Sequence, residues 1–210
     1  GAENTRANRL TSIIDQYGGI AVEPNGAAIG AANPSGAGLL VVDCRSRMAS
    51  AGNSFMGKGT ESTAHYRDTS VHHLDMGNIH RVRAAFMKAH ELFSKSRVPA
   101  DFWRVFNDSN WLHHVSQLLR GGAAGSDTLH RRRRSVLVHC SDGWDRTFQV
   151  VSLTKLLLDP HYRSIDGLAA LLELDCCAFG HKCADRLGLS LEGAQSQEWS
   201  PILILLLDAI

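Results

Sequence analysis

The chain has 210 residues, of which 44% are apolar and 20% charged, and its formal net charge is +1. That balance excludes a chain dominated by disorder and one drawn to polyanions by overall charge, and it allows one sizeable core. Five cysteines (Cys44, Cys140, Cys176, Cys177, Cys183) are too irregular for the disulfide frame of a small secreted domain. The first residues lack the apolar run of a signal peptide, and no stretch reaches ~18 uninterrupted apolar residues, so a soluble or membrane-peripheral protein of a reducing compartment is expected.

In chain order, residues 16–38 are rich in Gly, Ala, Pro and Asn without periodicity and read as a long loop, within a loop-rich N-terminal segment over 1–38. "LLVVDC" (39–44) reads as a buried strand, a second glycine-containing loop spans 46–62, and "SVHHLD" (70–75) reads as another strand. Ile79, Val82, Phe86, Ala89 and Phe93 recur at steps of three and four, which predicts a helix. A second helix is expected to start near Asp108 or Ser109 and to end before Gly121-Gly122. "GGAAGSDTLHRRRR" (121–134) then reads as an exposed loop, and "SVLVHC" (135–140) as a buried strand. Arg146 to Asp159 predicts an interior helix that stops at Pro160. Further helices are expected from Ser164 to about Leu174 and from Trp199 to the end. Strands alternating with helices argue for an α/β domain with a central sheet, which is expected to be mixed and flanked by helices.

The stretch "VHCSDGWDRT" (138–147) carries the chemistry. It lies at a strand end, passes through a tight loop and enters a helix. In that arrangement the amides of residues 141–146, with the helix dipole, can surround a dianion. The same field favours thiolate at Cys140, a nucleophile toward phosphorus. Arg146 offers a planar fork to two equatorial oxygens of a transferring phosphoryl group. Gly143 lets the backbone turn close to the anion. Ser141 or Thr147 can assist departure of the thiol, and His139 can orient the loop. A leaving alkoxide needs a proton, which Asp145 (the first choice) or Asp142 could supply. Acids placed beside a dianion also suit a polyol ring whose hydroxyls they can bind.

These residues resemble the active-site signature of the myotubularin family of phosphoinositide 3-phosphatases. "DCRSRMASAGNSFMGKGTE" (43–61), "LDMGNIHRVR" (74–83), "SNWLHHV" (109–115), "LLLDPHYRSIDG" (156–167) and "FGHKCADRLG" (179–188) are similar to further family segments in the same order, covering roughly 39–208. The resemblance implies a cysteine-phosphatase fold in a phosphatase domain over 39–210 that lacks the family's later helices, with no counterpart of the N-terminal PH-like domain. It implies hydrolysis of the 3-phosphate of phosphatidylinositol 3-phosphate and phosphatidylinositol 3,5-bisphosphate through a phosphocysteine, without metal or other cofactor. Cys140 matches the nucleophile, Arg146 the phosphate-binding arginine and Asp145 the proposed general acid. Asn53, Asn78 and Trp144 match pocket positions, and Lys182 and Arg186 match basic positions that meet substrate phosphates. Lys58 interrupts the family's triple glycine, and Gly52 replaces an alanine. The implied partners are phosphoinositide head groups on cytoplasmic faces of endosomal membranes, with a homo- or hetero-oligomer with family members, no nucleic acid and no transmembrane segment.

Two alternatives stand beside this reading: a dual-specificity protein phosphatase, and a catalytically dead phosphoinositide-binding module. Retention of both Cys140 and Arg146 weighs against the second. Cys176, Cys177, His181 and Cys183 lack the paired spacing of a zinc site, and Asp43 and Arg45 read as a structural ion pair. Arg131 to Arg134 read as a solvated run, with docking to an acidic membrane as the sharper reading.

Overall fold

The computed structural model describes residues 38–46, 48, 66, 68–95, 97–189 and 196–210. Its centre is a three-stranded sheet of β1 (Leu39–Asp43), β2 (Thr69–His73) and β3 (Ser135–His139), in the order β2-β1-β3. Both pairings are parallel, with Asp43 opposite His73 on one side and His139 on the other. Among the described residues all strands are parallel, so no antiparallel strand of the expected mixed sheet lies there. Parallel neighbours need long crossovers, and three helices lie between β2 and β3. β1 takes the middle, which suits its unbroken apolar run: Leu40, Val41 and Val42 are all buried. β3 is less covered than its sequence suggests, with Leu137 47% exposed, because it has a partner strand on one side only among the described residues.

Helix α1 (Ile79–Phe93) opens on Asn78, whose side chain accepts from the Arg81 amide. It buries Val82, Ala85, Ala89 and Leu92, a stripe turned slightly from the expected one. Phe93 is largely exposed and meets Phe102 and Phe106 edge-on. Those two rings belong to α2 (Phe102–Asp108), a short helix the periodicity does not reveal.

Helix α3 (Trp111–His130) starts close to the expected place, where Ser109 Oγ accepts from the Trp111 amide. It does not stop at Gly121-Gly122. The chain read as an exposed loop continues as helix to His130, and Gly121, Gly122 and Gly125 are buried in it. A β-carbon on Gly122 would come within 2.7 Å of Leu153 Cβ, and one on Gly125 within 2.5 Å of Thr154 Oγ1. Close approach to the next helix, rather than a turn, explains these glycines.

That next helix, α4 (Arg146–Leu158), is the interior one expected: Phe148, Gln149, Val150, Ser152, Leu153, Thr154 and Leu156 are all buried. A 3-10 turn (Pro160–Arg163) follows, with the Asp159 side chain accepting from the His161 amide. Ser164 then caps α5 (Ile165–Leu171), and a wide π-type turn (Leu172–Ala178) leads to α6 (Cys183–Arg186). The apolar C-terminal stretch forms α7 (Ile202–Asp208), which buries Ile202, Leu205 and Leu206 and leaves Leu207 and Ile210 about half exposed. Gln149 ties it to α4 by donating to the Ile202 carbonyl at 2.8 Å. Burying each such aliphatic side chain contributes about 1.5–3 kcal/mol. No helix among the described residues is long and apolar enough to cross a membrane.

Candidate active site

The loop 140–145 leaves β3 after His139 and enters α4 at Arg146, so Cys140 stands at the carboxyl end of the sheet and faces the start of a 13-residue helix. Cys140 is 8% exposed. Its Sγ accepts from the Gly143 amide at 3.3 Å and from the Thr147 hydroxyl at 3.2 Å. Burial alone pushes this thiol up. The hydrogen bonds from Thr147 and Gly143, together with the Arg146 guanidinium and the Thr147 amide, outweigh burial and hold it below its ordinary value. Gly143 aims its amide inward by adopting φ +93, and a β-carbon there would meet nothing within 4 Å. Its requirement is backbone conformation, not space.

Arg146 reaches across the loop, donating to Ser141 Oγ at 3.2 Å and to the Met76 carbonyl at 3.4 Å. It forms one wall of an open cleft of about 720 Å³, shared with Ser46, Met48, His73, Asp75, Asn78 and Arg81 among others. Asn78 is thereby brought toward the loop, although its side-chain oxygen already caps α1. Asn53, Gly52 and Lys58 lie outside the described residues. Ser141, Asp142 and Gly143 are exposed, and Trp144 is half-buried.

The two aspartates of the loop occupy opposite environments. Asp142 is exposed, whereas Asp145 is buried and its carboxylate is gripped from the α6 side. Arg186 holds it with both ends of its fork, Nε to Oδ1 at 3.0 Å and Nη2 to Oδ2 at 2.8 Å, while His181 Nδ1 lies 3.2 Å from Oδ1. Burial pushes the Asp145 carboxyl up, but the hydrogen bonds and charges of His181 and Arg186 prevail and hold it below the usual carboxylate range. Arg186 itself is only 3% exposed and also meets Glu198 at 2.9 Å. Lys182 stands with its Nζ 4.6 Å from the Trp144 ring centroid, a cation–π contact.

Segment 181–186 is therefore fastened to the loop at several points. His181 adds another, its Nδ1 lying 2.8 Å from the Trp144 carbonyl while its ring packs on Phe148. Sequence reasoning missed this anchoring role of His181, and also Glu198 and Arg81. The available signals were the place of His181 beside Lys182 and that of Arg81 within 74–83, both in segments similar to the family's. Cys176, Cys177 and Cys183 have thiols within 4.8 Å of one another, while His181, the fourth member of the imagined zinc cluster, is turned to the loop.

Asp43 and Arg45 form the expected ion pair, both buried, with Arg45 Nη2 2.8 Å from Asp43 Oδ2. The arginine run is not simply solvated. Arg131 and Arg132 pair with Asp127, and Arg134 donates to the carbonyls of Leu39 and Asp68.

Residues 10–210 match the family described as the myotubularin-like phosphatase domain. The chain is 38% identical over 172 residues to phosphatidylinositol-3,5-bisphosphate 3-phosphatase MTMR4 of Xenopus laevis, covering 82% of this chain and 16% of the relative. It is 39% identical over 184 residues to phosphatidylinositol-3,5-bisphosphate 3-phosphatase MTMR6 of Caenorhabditis elegans, covering 87% of this chain and 27% of the relative. Human phosphatidylinositol-3-phosphate phosphatase MTMR7 is 39% identical over 177 residues, covering 84% of this chain and 26% of its own length. The chain thus spans about a sixth to about a quarter of these relatives, and it belongs to the myotubularin-like phosphatase family.

Proposed function

We propose that this chain carries the catalytic core of a phosphoinositide 3-phosphatase with a cysteine-phosphatase fold, acting on phosphatidylinositol 3-phosphate and its 3,5-bisphosphate. The observation that carries the reading is the Cys140 thiol, held low by the Gly143 amide and the Thr147 hydroxyl at the foot of α4 with Arg146 across the loop mouth. The names of the relatives supply the substrate class.

In this reading the 3-phosphate enters the loop and exchanges with the internal contacts of Arg146, whose fork holds two of its equatorial oxygens. Cys140 Sγ attacks phosphorus; the S–P bond forms as the bond from phosphorus to the inositol oxygen breaks, and that oxygen takes a proton from a loop acid. Water then attacks the phosphocysteine, releasing phosphate and returning the thiolate, whose charge the Thr147 hydroxyl stabilises. Asp145 serves as donor when a substrate phosphate draws Arg186 from it: loss of that cation and arrival of a dianion both raise its proton affinity. In the same reading Lys182, whose Nζ lies over the Trp144 ring, takes a second phosphate of the same head group. Asp142, exposed in the loop, is the alternative donor. The corresponding surroundings are phosphoinositide-bearing membranes, endosomal ones in particular, and oligomers with family members.

Purified chain should release phosphate from short-chain phosphatidylinositol 3-phosphate, not from the 4- or 5-phosphate isomers, and Cys140→Ser should abolish release. Retention of the ligand without turnover by folded, reduced wild-type chain would instead mark a binding module. Asn at the donor position should slow an alkyl phosphate far more than an aryl phosphate with a good leaving group; equal losses on both substrates at both Asp142 and Asp145 would count against an acid role for either.

A further inference from the structure

Two cysteines meet at the carboxyl end of the sheet. Asp43 and His139 are paired at the ends of β1 and β3, and the Cys44 amide then donates to the His139 carbonyl at 2.9 Å. In a parallel ladder that bond extends the register by one residue and sets Cys44 opposite Cys140. Their side chains leave the same face. Leu40, Val42 and Cys44 on one strand belong to the same apolar cluster as Cys140, against which Val136 and Val138 of the other strand pack. Neighbouring strands lie about 4.8 Å apart, inside the roughly 4.4–6.8 Å between α-carbons that a disulfide spans.

We propose that Cys44 is a resolving cysteine for Cys140: a hydroperoxide that oxidises the loop thiolate is answered by a Cys44–Cys140 disulfide, which protects the nucleophile from further oxidation while switching the site off. The regulatory meaning rests on the reading of Cys140 as nucleophile. In the first step the Cys140 sulfur takes an oxygen from hydrogen peroxide: the S–O bond forms, the O–O bond breaks, and protonation yields a sulfenic acid and one water. In the second, Cys44 sulfur attacks Cys140 sulfur: the S–S bond forms, the S–O bond breaks, and the departing hydroxide takes the Cys44 proton as a second water. Two thiols lose two electrons, and the peroxide becomes two waters. A dithiol reductant reverses the linkage.

The surroundings of the two thiols divide these roles. Cys44 is fully buried and does not meet the oxidant first, while Cys140 lies in a loop that opens to solvent at Ser141 to Gly143. Burial, and then the negative charges of Cys140 and Asp43, push the Cys44 thiol up, whereas Arg146 and Arg45 pull the other way. Oxidation of Cys140 to a neutral sulfenic acid removes the opposing charge of its thiolate, so Cys44 is eased toward its reactive form when it is needed.

The test treats reduced chain with hydrogen peroxide, blocks remaining thiols and maps peptides by mass, beside Cys44→Ser and Cys44→Ala. The expected result is a Cys44–Cys140 peptide pair, two hydrogens lighter than the thiols and undone by dithiothreitol. Both variants should instead carry sulfinic acid at Cys140 and lose dithiothreitol-recoverable activity. A wild-type chain in which Cys140 reaches sulfinic acid as fast as in the variants, or in which the only linkage joins Cys176 to Cys183, overturns the proposal. Phosphate release by reduced chain reports separately on the phosphatase reading. Activity without the linkage overturns only the pairing, and the linkage without activity overturns only the phosphatase reading.

Discussion

The ends of β1 and β3 carry the same residue in register, yet the two thiols differ in opposite directions. After Cys140 the chain turns through a glycine at positive φ into a long helix, so an amide, a hydroxyl and a guanidinium converge on the sulfur. After Cys44 it runs into Arg45, whose fork is taken by Asp43, and burial with the charges of Cys140 and Asp43 outweighs the pull of Arg146 and Arg45. A strand end alone does not make a thiolate; the loop and helix that follow it do.

The largest effect comes from removing the reactive end of this pair. Cys140→Ser should reduce phosphate release to background, while Cys44→Ala should leave release from fully reduced chain largely intact. Comparable losses in both would erase the contrast. Next, Arg146→Lys should lower the rate by about 10²-fold or more, because a point charge replaces a fork at the transition state, with little change in thermal stability. A loss confined to KM would show that Arg146 only binds.

The anchor behind the loop is tested by stability. Asp145→Asn should destabilise the fold by about 3–5 kcal/mol at neutral pH, since it strips the buried Arg186 fork of its main partner. The Asp145 carboxyl is depressed in the folded chain, so its contribution is present above the unfolded carboxyl value of about 3.9 and is lost as pH falls through the lower folded value. Wild type should therefore lose stability more steeply than the variant in acid below about pH 4. Parallel acid limbs in urea titrations would contradict the pairing. A smaller effect is expected far from the loop: Gly122→Val should cost about 1–3 kcal/mol by overpacking α3 against Leu153, measured by urea unfolding, with the kcat of folded protein retained.

That last position shows where the sequence misleads. Gly121-Gly122 reads as a helix stop because glycine weakens a helix by about 1 kcal/mol. Contact with Leu74, Val150 and Leu153 overrides that local cost, and no local pattern announces it. The β1 run, the α4 interior and the start of a helix at Ser164 were legible because each follows from local pattern: an unbroken apolar run, apolar residues nearly all round, and a helical stretch after a proline stop. The same division holds at the site. Cys140, Gly143, Arg146 and Thr147 fall within eight residues and can be read together. The hold of Arg186 on Asp145 joins residues 41 apart, and its contact with Glu198 belongs to the fold, not to either motif.

The most direct measurement is the pH dependence of iodoacetamide alkylation followed peptide by peptide in reduced, folded chain. A thiolate held low by the loop is protonated only as pH falls through its depressed value, so Cys140 should be alkylated well below the range of an ordinary thiol, and Thr147→Val should move its midpoint up. Cys44 should stay unmodified until the chain unfolds. Alkylation of Cys140 no earlier in pH than the exposed Cys177, with a midpoint unmoved by Thr147→Val, would contradict the account of a loop built to hold a thiolate.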